Sequence, residues 1–106
     1  MDKWNKKTEE LLETILALKS LDEAKRFFRD LMTKCELIEF GNRWKAARML
    51  SQKISYTKIE KETGLSSTTI ARVSKWLNRG KGGYKIALAR INKNHHAFSL
   101  IGKGLC

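Results

Sequence analysis

The residues of this chain best suited to chemistry lie between Ser55 and Leu77, in SYTKIEKETGLSSTTIARVSKWL, and that chemistry is recognition rather than bond making. Ser67, Thr68, Thr69, Ala71, Arg72 and Lys75 form a small, polar and basic set. On the outer face of a helix, such side chains let its N-terminus enter a DNA major groove, where methyl groups meet thymine methyls and hydroxyls bond base edges or phosphates. The positive end of the helix dipole favours phosphate as well. No carboxylate pair, Cys/His pairing or phosphate cradle stands on a credible element, so neither an enzyme nor a cofactor is expected. Residues 80–83, GKGG, lack the first Gly of a P-loop and the Ser or Thr that follows its Lys. His95 and His96 are adjacent, so on a helix they point in different directions and do not chelate a metal as an i, i+4 pair would. Cys35 and Cys106 stand 71 positions apart with no CxxC spacing, which argues against a zinc site or a disulfide scaffold.

Two short helices joined by a tight turn are needed to present that set. Ser55 can cap a first helix containing Ile59, Gly64 can end it in the left-handed conformation, and Ser66 or Ser67 can cap a second helix holding Ile70, Val73 and Leu77. Counted from Tyr56 as position one, the apolar residues Ile59, Leu65, Ile70 and Val73 fall at four, ten, fifteen and eighteen, with Gly64 at nine. This spacing predicts a helix-turn-helix over residues 55–78. Arg79, Lys81 and Lys85 follow, within reach of backbone phosphates, and a last helix is expected over residues 83–94.

Charge is divided to match. Residues 1–40 carry eight Lys/Arg against nine Asp/Glu, whereas residues 41–106 carry fourteen against two, and no acid follows Glu62. A near-neutral half joined to a strongly basic half implies one part that assembles and another that meets a polyanion, because neutralising phosphates releases counterions.

The near-neutral half reads as amphipathic helices, and residues 1–53 are expected to form a dimerisation region. Trp4, Leu11, Leu12, Ile15, Leu16 and Leu18 recur at helical spacing from residue 4 to 18. Ser20 and Glu23 form a capping box before a stripe of Leu21, Ala24, Phe27, Phe28 and Leu31; Thr33 and Glu36 form another, opening a third helix towards Gln52. Gly41 interrupts that helix at a cost of roughly 1 kcal/mol relative to Ala, which predicts a close helix crossing there. The apolar arcs are broad for one short chain, so a homodimer is expected. With no Pro, seven Gly and 42% hydrophobic residues among 106, the chain is expected to be a single all-α domain. No run approaches the roughly 20 apolar residues of a membrane span. The cysteine usage suits a reducing cytoplasm.

From Met32 to Leu77 the chain resembles the tryptophan-repressor family without a gap, on the motifs M-T-K-C-E, E-F-G-N-R-W, S-Y-T-K-I-E-K-E-T-G and T-T-I-A-R. It is most similar to the TrpR-like, YerC/YecD-type branch. The resemblance implies an intertwined all-helical homodimer, a bacterial repressor of transcription whose two reading heads meet successive major grooves of a two-fold operator in double-stranded DNA. The positions matching the family's DNA contacts are Tyr56, Thr57, Glu60, Ser67, Thr68, Thr69 and Ala71; Glu60 is an acid where the pattern has a base. Thr33, Arg43 and Arg72 fall on positions resembling effector-binding residues, the two guanidinia flanking the ring of an amino acid. Val73 and Trp76, however, stand where the pattern has a Gly and a small Ser. Trp76 acts either as a core residue or as an internal plug, and on both readings tight L-tryptophan binding is not expected. RNA binding, replication-initiator-like DNA binding and a protein-interaction module are the alternatives. No sheet with exposed aromatics accompanies the GKGG stretch, no nucleotide-binding domain accompanies the motif, and pure protein interaction does not require so basic a half.

Overall fold

In a computed structural model of the chain, which describes residues 4–94, six α-helices follow one another and no strand occurs among the described residues. They are α1 (Lys6–Ala17), α2 (Leu21–Leu31), α3 (Lys34–Ser51), α4 (Tyr56–Thr63), α5 (Ser67–Arg79) and α6 (Gly83–Asn94). The all-α architecture read from composition is the architecture found. The terminal stretch expected as a tail, 95–106, with His95, His96, Phe98, Leu100, Ile101 and Cys106, lies outside the described residues. Contacts divide the chain after Leu37 into two compact units, so α3 begins in the first and continues through the second.

In the first unit, local hydrogen bonds start each helix. The Asn5 side chain accepts from the Lys7 and Thr8 N–H groups, so α1 begins after Asn5 rather than at Trp4. Ser20 Oγ accepts from the Glu23 N–H (3.1 Å), while the Glu23 carboxylate reaches one residue further back, to the Lys19 N–H (2.8 Å). The Thr33 box is fully reciprocal: Glu36 N–H donates to Thr33 Oγ1 (3.1 Å) and Thr33 N–H to Glu36 Oε1 (2.9 Å). Capping begins helices without burying them, and neither α1 nor α2 contains a buried residue. Leu16 is 85% and Leu21 72% exposed. Leu21, Ala24, Phe28 and Leu37 line an open apolar cleft of about 440 Å³.

The second unit holds the core. Ala46, Ala47 and Met49 of α3 pack with Ile59 of α4, Leu65 of the turn, and Ile70 and Val73 of α5; Trp44, Leu50, Ile54 and Tyr84 close around them. The Trp44 and Tyr84 rings stack with centroids 6.3 Å apart and planes 19° from parallel, fastening α6 to α3. An ion pair between Lys45 Nζ and Glu62 (3.4 Å) adds a partly exposed tie between α3 and α4.

The end of α3 departs from the usual pattern. The Ile54 N–H donates to the Met49 carbonyl (3.1 Å) and the Lys53 N–H to the Leu50 carbonyl (3.0 Å), the bonds of a Schellman motif. The left-handed residue it needs is Lys53, at φ 65°, where Gly is the usual occupant. At Gly41, by contrast, an added Cβ meets nothing within 4 Å, so among the described residues no side chain or backbone lies against that glycine as a close crossing would require.

Candidate nucleic-acid interface

The helix-turn-helix is built by capping, one left-handed glycine and one buried hydroxyl. Ser55 Oγ accepts from the Lys58 N–H (3.3 Å) to start α4. Gly64, at φ 74° and ψ 2°, ends it, its N–H donating to the Glu60 carbonyl (2.8 Å). A side chain at this backbone conformation is strained even though the space around it is open. The cap of α5 is Ser66 rather than Ser67: Ser66 Oγ accepts from the Thr69 N–H (3.1 Å) and donates to Thr69 Oγ1 (3.1 Å).

Ile59, Ile70 and Val73 are fully buried, and Leu65 nearly so, the four apolar positions singled out by spacing. Thr63 was not anticipated. It is only 4% exposed; its Oγ1 donates to the Ile59 carbonyl (2.7 Å) and accepts from the Leu65 N–H (3.2 Å). One hydroxyl thus satisfies a buried amide in the turn and ties it to α4. A Thr three residues before a capping Ser, beside a turn Gly, was the signal available in the sequence.

Ser67, Thr68, Ala71, Arg72, Lys75 and Arg79 are all exposed along α5, and Lys81 is exposed just beyond it. Thr69 is half-buried, its hydroxyl engaged with Ser66. Tyr56 and Thr57 are exposed in the first turn of α4, and Glu60 is half-buried. The α5 helix stops at Gly80, whose N–H donates to the Trp76 carbonyl (2.9 Å); a Cβ there would overlap that carbonyl oxygen. This close approach requires glycine and fixes where Arg79 and Lys81 leave the helix.

The residues expected to hold an effector are differently occupied. Thr33 belongs to the first unit, where its hydroxyl caps α3. Arg43 Nε pairs with Glu39 (3.1 Å) one turn earlier, and its guanidinium lies 5.5 Å from the centre of the Phe40 ring. Arg72 projects from the exposed face of α5. Val73 fills the core completely, whereas Trp76 is 42% exposed. The core-residue reading of Trp76 therefore fails within the chain: Val73 and Leu77, three before and one after it, take the inward direction, and the indole is left at the side of α5. Among the described residues, no group of three His, Cys, Asp or Glu side chains could hold a metal ion, and Cys35 is an exposed free thiol.

The chain is similar in sequence and fold to known proteins. The family profile described as Trp repressor protein matches residues 6–92. The chain is 44% identical over 88 residues to YerC of Bacillus subtilis strain 168, a protein named as uncharacterized; the match spans 83% of this chain and 85% of YerC. The crystal structure of a TrpR-like protein from Eubacterium eligens superposes with a TM-score of 0.79 at 39% identity, covering 83% of this chain and 91% of that one. A putative Trp repressor from Staphylococcus aureus superposes equally well, with a TM-score of 0.79 at 36% identity over 84% and 89% of the two chains. With its helix-turn-helix, its acid-poor second half and these matches along most of its length, the chain belongs to the Trp repressor family, in the TrpR-like branch that includes YerC.

Proposed function

We propose that this protein is a sequence-specific regulator of transcription, a cytoplasmic repressor that binds double-stranded DNA and reads a two-fold operator as an intertwined homodimer. The observation that carries the reading is the pairing of α4 and α5 on an apolar lock, with Ser67, Thr68, Ala71, Arg72 and Lys75 exposed along α5 in a half of the chain holding fourteen basic residues against two acidic ones. Membership of a family of DNA-binding regulators supports it. In this reading Thr68 and Thr69 discriminate bases at the N-terminal end of α5, Ser67 and Ala71 line the groove beside them, and Tyr56, Thr57, Lys75, Arg79 and Lys81 hold phosphates. Residues 1–53 assemble the dimer, because α1 and α2 contain no buried residue while carrying Leu12, Leu16, Leu21 and Leu31 exposed. Such an area of apolar surface is what a partner of the same sequence would cover.

The effector positions are read as vestigial. With Val73 in the core, Thr33 capping α3 and Arg43 paired to Glu39, free L-tryptophan finds no ready cradle. Titration calorimetry is expected to give no micromolar dissociation constant.

Two double variants test the DNA reading. Thr68→Ala with Thr69→Ala should relax sequence preference more than it weakens binding to random duplex, and Arg79→Ala with Lys81→Ala should do the reverse. Equal effects of the two would refute a recognition helix.

A further inference from the structure

We propose that Lys53 and Lys85 form a phosphate clasp, a second contact to the DNA backbone beside the reading head, built from the end of α3 and the first turn of α6. Four observations converge on it. Lys53 holds the left-handed position of the α3 terminus at φ 65°, where glycine would serve at lower steric cost; a cation kept at an unfavourable backbone position indicates a use for the side chain. Lys53 and Lys85 both line a cleft of about 540 Å³. Ser74 and Asn78 of α5 also line it, the Asn78 amide donating to the Ser74 carbonyl (2.9 Å) and, at 3.5 Å, to the Ser74 hydroxyl, whose own hydrogen is left to donate. Among the described residues no carboxylate lines the cleft, and no Asp or Glu follows Glu62 in the sequence. Two exposed lysines lining one cleft offer an anion two cations at once.

The position selects the anion. Lys53 stands two residues before Ser55, the cap of α4, whose first turn presents Tyr56 and Thr57; Ser74 and Asn78 lie on the C-terminal half of α5, away from its reading end. The cleft thus adjoins both helices of the helix-turn-helix without using the residues assigned to bases. A backbone phosphate flanking the contacted groove has the right charge and size. This inference rests on the duplex-DNA reading above, and its test keeps the two separable.

The measurement is the salt dependence of duplex binding by the full chain, for wild type and for Lys53→Gln with Lys85→Gln. Each phosphate neutralised contributes about −0.9 to the log–log slope, so losing one clasp per head on a two-headed dimer should flatten the slope by about two. The wild-type advantage should then shrink about tenfold between 50 and 200 mM salt. Lys53→Arg with Lys85→Arg should restore the wild-type slope. Lys53→Gly alone should raise the midpoint of thermal unfolding while weakening DNA binding, a pairing that a purely structural lysine would not give. Wild type binding steeply with the Gln variant parallel to it overturns the clasp alone; so does an equal flattening by Lys25→Gln with Lys34→Gln, which would reduce the effect to bulk charge. Wild type showing no salt-dependent duplex binding overturns both readings. Inorganic phosphate saturating the amide shifts of Ser51, Lys53 and Lys85 at low millimolar concentration, with duplex binding unaffected by the Gln pair, would assign the cleft to a free anion and overturn the backbone assignment.

Discussion

Thr63 offers a sharp test of how the reading head is held. Thr63→Val keeps the volume and removes the hydroxyl, so two bonds disappear together. The Ile59 carbonyl lies within α4, where the helix ladder supplies a donor, and its loss is small. The Leu65 N–H is different: its bond to Thr63 Oγ1 (3.2 Å) is buried, and Val offers it no acceptor. A buried donor left unpaired costs on the order of 1–3 kcal/mol. Thr63→Ser keeps the hydroxyl and gives up one methyl, about 1 kcal/mol. In a chain of this size each kcal/mol lowers the unfolding midpoint by about 4–8 °C. Thermal unfolding at one fixed protein concentration should therefore rank wild type above Ser and Ser above Val. Amide hydrogen exchange separates the causes, since Leu65 should lose protection in the Val variant and keep it in the Ser variant. A Val variant as stable as wild type, with Leu65 still protected, would refute the argument.

Two other perturbations follow from particular contacts. Gly80→Ala places a Cβ against the Trp76 carbonyl oxygen, a backbone atom that cannot swing aside, so the variant should lose on the order of 1–3 kcal/mol in denaturant unfolding, with fraying of the last turn of α5. Burial raises the Tyr84 hydroxyl above its ordinary pKa of 10.0, with the charge of Arg43 opposing in part. Because the folded value lies above the unfolded one, Tyr84 contributes its full stability below about pH 10 and loses it as pH rises through the folded pKa. Unfolding free energies measured between pH 9 and 11.5 should fall with pH, and fall less steeply in Tyr84→Phe; identical slopes would contradict the assignment.

The helix starts of both units and the core of the second were legible in the residues because their determinants are local. Ser20, Thr33, Ser55 and Gly64 each act through a bond or backbone conformation within a few positions, and Ile59, Leu65, Ile70 and Val73 follow the helical period that decides burial. What escaped depends on geometry that spacing does not encode. Thr63 is a polar residue buried because the turn needs its hydroxyl, and periodicity counts only apolar positions. Lys53 takes the left-handed conformation that Gly or Asn usually occupies. Trp76 looked inward by spacing, yet Val73 and Leu77 already fill that direction. The predicted crossing at Gly41 drew on the cost of a glycine inside a helix, and that cost does not say whether anything lies against the residue. The candidate interface was accessible for the same reason as the fold: exposed small polar residues on α5 are the complement of its buried stripe.

The central claim is that paired reading heads recognise a symmetric duplex. Selection of bound duplexes from a random pool by the full-length protein tests it most directly. An inverted repeat with half-sites about one helical turn, or a multiple of it, apart should be enriched, and that enrichment should be lost in Thr68→Ala with Thr69→Ala. A pool that remains random after repeated rounds, at a salt concentration where the protein still binds DNA, would contradict it.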